Sequence, residues 1–202
     1  ELAEKNLFLP VSVKNRTMVL VTNDPLNYFA LEEVRQQTGC YLQIRLSEEK
    51  PLRQAIQYYF ADVGARQAAT QVNAGFGPDE LDDFALDELE NVEEEAPIIH
   101  LLNSLVERAI KSNASDIHIE PFDRETKVRM RIDGVILEYV TLQRNVHQPL
   151  IARIKIMANL DIAEKRIPQD GHFRVRTESG HVNIRVSLMP TVFGEKAVLR
   201  LL

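Results

Sequence analysis

The sequence has a single cysteine and no long apolar run, and these two features exclude several classes of protein. Cys40 is the only cysteine among the 202 residues, which excludes an intramolecular disulfide framework and a zinc site built from several cysteines. No stretch approaches the roughly 18 consecutive apolar residues that a transmembrane helix needs. No signal peptide is recognisable either. These absences predict a cytoplasmic protein.

The sequence also lacks the motifs that mark several common kinds of enzyme. It contains no GxxxxGK[ST] loop, the glycine-rich segment whose backbone amides hold the phosphates of a nucleotide. It contains no nucleophile elbow and no HExxH zinc motif. We therefore expect no complete catalytic site within these residues.

The negative charge is concentrated in one short segment. Ten of the 30 acidic residues lie between 79 and 95, where there is no Lys or Arg, and the whole chain has a net charge of −6. A block of like charges repels itself and does not easily form a core. We therefore predict an acidic flexible linker over residues 66–96. Because Phe84, Leu86 and Leu89 interrupt the acids, a docking segment for a basic partner is the alternative.

Residues 1–65 are predicted to form a small ββαβα module. Apolar residues alternate in its short strand-like runs and recur at helical spacing in two longer ones. We find no catalytic constellation here and interpret the module as a partner-docking domain. The predicted elements are strands at 11–13 and 18–21, a helix over 28–38 ended by Gly39, a strand over 41–46, and a helix capped by Ser47.

Residues 97–202 are predicted to form a mostly antiparallel sheet with helices packed on it. Pro97 is well placed at a helix start, because the first N–H groups of a helix have no intrahelical partner. Several later runs alternate between apolar and polar residues, and Asp133-Gly134 marks a hairpin turn. The fold class is therefore α+β. The predicted elements are a helix from Pro97, strands around 116–120, 128–132 and 135–140, a helix over 149–160, and strands over 173–176, 181–188 and 197–201.

Three potential metal ligands, Asp116, His118 and Glu120, occupy alternate positions of one predicted strand. They would share one face at a spacing of about 7 Å. Ligands on a single straight strand converge poorly, whereas tetrahedral sites draw on several elements. We therefore interpret them as a polar strand face and predict no metal site. A metal hydrolase built on Asp116 and His118 is a third functional hypothesis.

Arginine recurs on the predicted strands of the second module. Its planar guanidinium donates paired hydrogen bonds that match a phosphate. Arginine on a strand is, however, also common as a solvent-exposed side chain without a specific ligand. The module is only mildly basic and its aromatic residues do not alternate with basic ones, so nucleic acid is not a predicted partner. The arginines concerned are Arg129, Arg131, Arg174, Arg176, Arg185 and Arg200.

Four motifs follow one another in the second module. Together they resemble the domain that precedes the motor in the GspE/PilB family of type II secretion and type IV pilus assembly ATPases. The likeness covers residues 97–202, and residues 1–65 resemble the small N-terminal domain of the same proteins more weakly. The motifs are SDIHIEP at 115–121, RMRIDG at 129–134, IKIMANLDIAEKRIPQDG at 154–171 and GEKAVLRLL at 194–202.

The resemblance implies the N-terminal region of a homo-hexameric ATPase that is cytoplasmic and peripheral at the inner membrane. It implies a PAS-like sheet for residues 97–202, and docking of residues 1–65 on an inner-membrane platform protein of the GspL or PilC kind. ATP and Mg²⁺ are expected to be bound mainly by the motor domain. Residues 1–202 alone should therefore bind no cofactor and show no ATPase activity. The sequence pattern of the cyclic-dinucleotide-binding domain of some relatives is not found, so that ligand is not predicted.

In that family, arginines of this domain reach the phosphates of the nucleotide. The matching positions are Arg185, within NIRVS, and Arg200, within VLRLL. Both are expected to contact phosphate in the assembled motor, and no catalytic residue is expected in the chain itself. For Arg200 the alternative is an ion pair with a nearby carboxylate such as Glu195.

The chain begins at Glu1 rather than Met and ends in an apolar run, so we expect it to be a piece of a longer protein. The competing function is a stand-alone PAS-like sensor or adaptor without ATPase activity. A GxxxxGK[ST] loop within about a hundred residues after Leu202 would distinguish the motor from the adaptor. The motifs leave open whether the machine secretes proteins or builds pili.

Overall fold

The computed structural model describes residues 2–75, 97–177 and 180–202. The chain divides into two compact units, Glu1–Ala61 and Asp62–Leu202. The first holds a small sheet with helices, and the second holds a larger antiparallel sheet with helices. The predicted α+β class is confirmed.

The first unit contains a three-stranded sheet in the order β1-β2-β3. Strands β1 and β2 are antiparallel, whereas β2 and β3 are parallel and are connected through α2. The predicted ββαβα order is confirmed, with one additional helix at the start. That helix has only five residues, too few for a helical period to be visible in the sequence. The elements are α1 (Leu2–Asn6), β1 (Phe8–Lys14), β2 (Thr17–Thr22), α2 (Tyr28–Thr38), β3 (Tyr41–Leu46) and the first part of α3 (Glu49–Gly75).

Helix α2 has the bounds that its sequence predicts. The Asn27 side chain accepts a hydrogen bond from the Ala30 amide at its start, and Gly39 ends it with a φ of 65°. Glycine adopts that left-handed conformation without steric cost. The predicted cap of α3 was wrong, because the Ser47 hydroxyl donates to the Glu48 carbonyl instead and the helix begins at Glu49.

Helix α3 continues through the first ten residues of the predicted linker. Ala65, Ala68, Ala69 and Val72 are buried in the core of the second unit, at the spacing of one helical stripe. Small alanines give little periodic signal in a sequence, yet they let a helix approach a sheet closely. Residues 66–75 therefore belong to the second unit, which begins near residue 62 rather than 97. The rest of the predicted linker, 76–96, lies outside the described residues.

The last turns of α3 cover part of strand β6 (Val135–Gln143), which is at one edge of the large sheet. The Asn73 side chain donates to the Thr141 carbonyl at 3.3 Å and accepts from the Gln143 amide at 2.9 Å. The Tyr139 hydroxyl donates to the Asp62 carbonyl at 3.2 Å. Asn73 therefore satisfies backbone groups that a neighbouring strand would otherwise pair with.

The large sheet has six strands in the order β6-β5-β4-β9-β8-β7, and every neighbouring pair is antiparallel. The last strand, β9, lies at its centre between β4 and β8. The predicted mostly antiparallel sheet is confirmed. Its remaining elements are α4 (Pro97–Lys111), β4 (Ala114–Pro121), β5 (Glu125–Ile132), a 3₁₀ turn (Arg144–Val146), α5 (His147–Ala158), β7 (Gln169–Thr177), β8 (Gly180–Thr191) and β9 (Gly194–Leu201).

One face of the sheet is apolar and the other is polar, because side chains alternate along each strand. The apolar face contributes Ile117, Val128, Ile184 and Leu199, all fully buried, to the same core as α4 and α5. The residues that alternate with them include the charged side chains of Asp116, Arg129, Arg185 and Arg200. The predicted turn at Asp133-Gly134 is confirmed, with φ values of 50° and 81°.

The close contact between α5 and β7 requires a glycine. A Cβ atom at Gly171 would lie 2.8 Å from the Ala158 carbonyl oxygen and 2.9 Å from the Leu160 side chain. Helix α5 ends at Ala158, two residues before its predicted end, because Asn159 adopts the left-handed conformation. The chain can then turn back onto the sheet, with Gly171 packed against the end of the helix.

Candidate functional site

Arg185 and Arg200, which the sequence places fifteen residues apart, lie directly opposite each other on β8 and β9. Both project from the polar face and both are exposed. Two like charges at opposed positions of an antiparallel pair repel each other. The arrangement therefore favours the binding of an anion between or above them.

Asp116 on β4 is the acidic partner of Arg200. The Arg200 Nε lies 2.8 Å from Asp116 Oδ1, while Oδ2 lies 3.4 Å from Arg131 Nε and accepts a hydrogen bond from Ser115 Oγ at 2.8 Å. Burial by itself would raise the pKa of Asp116, but the hydrogen bonds from Arg200 and Ser115 outweigh it and hold that pKa below its ordinary value. Asp116 is therefore a carboxylate at neutral pH.

The positive charge around Asp116 exceeds what one carboxylate can balance. Arg131 and Arg200 flank it on β5 and β9, and Arg185 follows on β8. In the part of the chain that the structure describes, Arg185 makes no ion pair. His172, its neighbour on β7, offers no negative charge. Asp116 thus has two arginine partners, Arg131 and Arg200, and does not pair with Arg185.

A second cluster on the same face is balanced internally. Glu120 on β4 contacts Arg129 on β5 and lies 2.7 Å from Lys196 Nζ on β9. Lys127 on β5 pairs with Glu138 at 3.1 Å and with Glu125 at 3.4 Å, so the cluster contains three cations and three carboxylates. These charges have partners within the sheet and are accounted for as surface ion pairs.

The strand with Asp116, His118 and Glu120 shows no arrangement typical of a metal site. Both carboxylates contact arginine or lysine side chains, and burial together with nearby Lys196 lowers the pKa of His118. Over residues 2–75, 97–177 and 180–202, no group of three or more potential ligands is placed to hold a metal ion. The three side chains form the polar strand face that their alternation indicates.

The alternative for Arg200, an ion pair with a nearby carboxylate, is observed in the structure, but the carboxylate is Asp116 rather than Glu195. Glu195 is buried, and its Oε1 lies 2.7 Å from Lys155 Nζ on α5. The Lys155 ammonium also donates to the Glu164 carbonyl at 2.6 Å. Sequence reasoning missed this ion pair because Lys155 lies on the inner face of a helix whose apolar stripe gave no reason to expect a charge there.

The first unit carries an apolar groove of about 470 Å³ between α2 and β3. Phe29 is 93% exposed and Tyr28 is 69% exposed at its rim. Exposed aromatic side chains around a groove are typical of protein-binding surfaces. The groove is lined by Pro25, Tyr28, Phe29, Leu31, Glu32, Arg35, Leu42 and Ile44.

Comparison with known proteins identifies the family. Residues 91–202 match the T2SSE family, described as type II/IV secretion system protein, and residues 1–66 match the MshEN domain. The chain belongs to the type II/IV secretion system protein family. The resemblance to the GspE/PilB ATPases is thereby confirmed.

Two relatives illustrate the family. The type IV pilus assembly ATPase PilB of Myxococcus xanthus is 37% identical over 100% of this chain and 36% of its own length. The type II secretion system protein E of Pectobacterium carotovorum is 41% identical over 86% of this chain and 36% of its own length. This family member therefore spans about a third of the length of these relatives.

A solved structure, the ATPase DotB of Legionella pneumophila, is 17% identical over 62% of this chain and 31% of its own length, with a TM-score of 0.37. Within the described residues of this family member, no helix is both long and apolar enough to cross a membrane.

Proposed function

We propose that this chain is the N-terminal part of a cytoplasmic, hexameric ATPase that powers type II protein secretion or type IV pilus assembly at the inner membrane. In this proposal Arg185 and Arg200 contact the nucleotide phosphates in the assembled motor. The observation that carries it is their opposed placement on β8 and β9, where both side chains are exposed and, among the described residues, Arg200 pairs with Asp116 while Arg185 makes no ion pair. The names of the relatives, a pilus assembly ATPase and a type II secretion system protein, support a role in an ATP-driven secretion or pilus machine.

The chemistry of the pair fits a phosphate chain. A guanidinium donates two parallel hydrogen bonds to phosphate oxygens, and such charge-assisted bonds are stronger than neutral ones. An arginine that stabilises the charge of phosphoryl transfer can be worth about 10³-fold in rate. Since this chain has no glycine-rich phosphate loop, ATP and Mg²⁺ would be held mainly by a motor domain, and residues 1–202 alone would not turn over ATP.

The test compares Arg185→Ala and Arg200→Ala in the whole protein that contains this chain. Each should lower ATP turnover at least tenfold. The thermal stability of residues 1–202 should change little in Arg185→Ala, because that side chain is exposed, and fall only modestly in Arg200→Ala, because Asp116 loses one partner but keeps Ser115 and Arg131. Arg174→Ala is the matched control, since Arg174 is on the same sheet but donates to Asn183 at 2.9 Å. Normal turnover in both variants would refute the phosphate role.

We also propose that the first unit docks on an inner-membrane platform protein through the groove around Phe29. An exposed aromatic ring gains more from burial at an interface than a smaller aliphatic side chain does. Phe29→Ser should weaken binding to the platform protein, whereas Val13→Ser should not, because Val13 is similarly apolar and 56% exposed but does not line the groove. Equal binding by both variants would place the docking surface elsewhere.

A further inference from the structure

Asp116 holds Arg200 through one particular nitrogen. The bond from Arg200 Nε to Asp116 Oδ1 measures 2.8 Å, and the other carboxylate oxygen is already occupied by Ser115 and Arg131. The Asp116 side chain is only 5% exposed, whereas that of Arg200 is 62% exposed. A buried carboxylate thus anchors the base of an exposed guanidinium.

An arginine anchored through Nε keeps its two terminal nitrogens for a second anion. Among residues 2–75, 97–177 and 180–202, neither Nη1 nor Nη2 of Arg200 makes a hydrogen bond. The terminal edge of a guanidinium is one of the edges that can contact two oxygens of a phosphate at once. Fixing Nε therefore orients this edge and removes rotamer freedom that phosphate binding would otherwise have to restrict.

The same carboxylate also reduces repulsion at the site. Strand β4 lies between β5 and β9, so that Asp116 faces Arg131 on one side and Arg200 on the other. Without its charge, Arg131 on β5 and Arg200 on β9 would lie on either side of a neutral residue on β4, and Arg200 would still face Arg185 on β8, where like charges repel. Arg200 would then be expected to leave its position opposite Arg185.

We infer that Asp116 is the positioning residue for Arg200: it holds the guanidinium by Nε, offsets the charge of the arginine cluster and leaves Nη1 and Nη2 for the phosphate. This inference rests on the proposed phosphate role of Arg200. It adds a residue from β4 that does not itself touch the nucleotide.

The first experiment needs no enzymatic activity. In residues 1–202, the Nε–H proton of Arg200 should exchange slowly with water, because it is bonded to a buried carboxylate, and its NMR signal should be visible near neutral pH. Asp116→Asn and Asp116→Ala should weaken or abolish this protection. Glu120→Gln is the matched control, since Glu120 occupies the same face of β4 but pairs with Arg129 and Lys196. Unchanged protection in both Asp116 variants would overturn the inference.

The second experiment measures ATP turnover by the whole protein. Asp116→Asn should lower turnover about tenfold or more, and Glu120→Gln should leave it unchanged. The double variant Asp116→Asn with Arg200→Ala should be no slower than Arg200→Ala alone, because Asp116 acts through Arg200. A multiplicative loss in the double variant, or a loss explained by a lower melting temperature, would make Asp116 merely structural and refute the inference.

The two proposals fail in different ways. If Arg200→Ala turns over ATP normally, the phosphate role is wrong and the positioning role is wrong with it. If Arg200→Ala is slow but Asp116→Asn is normal and folded, the phosphate role stands and only the positioning role is refuted. If Asp116→Asn does not fold, Ser115→Ala and Asp116→Glu are the milder substitutions. The ATP turnover of each is then compared with that of Arg200→Ala in the same way.

Discussion

Lys155 and Glu195 form an ion pair inside the second unit, with 2.7 Å between Nζ and Oε1 and side-chain exposures of 1% and 7%. The Lys155 ammonium also donates to the Glu164 carbonyl, so it attaches the loop between α5 and β7 to the start of β9. Taking two charges out of water is costly, and such a pair is maintained only while both partners are present.

Lys155→Met should therefore lower the free energy of unfolding by about 3–5 kcal/mol, because Glu195 remains buried without its partner. Urea or thermal unfolding of residues 1–202 measures this. The double variant Lys155→Met with Glu195→Leu should recover part of the loss. Lys165→Met is the control, since Lys165 is exposed. Equal stability of the Lys155 and Lys165 variants would contradict the prediction.

Substitutions at Val72 test whether the last turns of α3 belong to the second unit. This residue is fully buried in the core, whereas its neighbour Gln71 is exposed. Val72→Asp would bury an uncompensated carboxylate and should destabilise the second unit by more than about 3 kcal/mol, and Gln71→Asp should change it by less than about 0.5 kcal/mol. The measurement is urea unfolding of residues 1–202. Similar effects of the two substitutions on the free energy of unfolding would support the original interpretation of residues 66–75 as a linker.

Two glycines should respond in opposite directions to the same substitution. Gly171→Ala places a Cβ 2.8 Å from the Ala158 carbonyl, so it should destabilise the fold by about 1–3 kcal/mol. Gly64→Ala lies in α3 with open space around its Cβ and should stabilise it by about 0.5–1 kcal/mol. Differential scanning calorimetry should show melting temperatures on either side of the parent value. A rise with Gly171→Ala would disprove the close contact.

His147 predicts how stability depends on pH. Burial lowers its pKa to about 4, although the bond between Nε2 and the Glu195 carbonyl opposes this effect. The unfolded chain takes up a proton near pH 6.5, whereas the folded chain does so only near pH 4. Stability should therefore be full above pH 6.5 and fall as the pH drops from about 6.5 to about 4, by up to about 3 kcal/mol.

Urea unfolding at several pH values measures this dependence. His147→Gln should flatten the curve between pH 4 and 6.5, because the buried ring that resists protonation is gone. The exposed His181 provides the control, and His181→Gln should leave the curve unchanged. A curve that keeps its shape between pH 4 and 6.5 in His147→Gln would contradict the prediction. Asp116 acts at lower pH, because folding lowers its pKa from an ordinary value of 3.8 and its contribution to stability is lost only below about pH 4.

Local patterns along the chain determined much of the secondary structure. Helix α2 over Tyr28–Thr38, the stop at Gly39 and the turn at Asp133-Gly134 follow from neighbouring residues alone, because caps, turns and side-chain periods act over a few positions. Four motifs in order were also enough to indicate the family. Helix α3 shows the limit of such patterns, because a stripe of small alanines looks like a linker until there is a sheet for it to pack on.

Tertiary structure decided how the residues of the candidate site are brought together. The sequence determined that Arg185 and Arg200 are strand residues with polar surroundings, and the family resemblance singled them out. Only the strand order, with β9 between β4 and β8, places the two arginines opposite each other. The same order brings Asp116 to Arg200, which is 84 residues away in the sequence. The physical reason is that alternation specifies which face of a strand is buried, whereas the choice of neighbouring strand depends on how all six strands pack against α4, α5 and the end of α3.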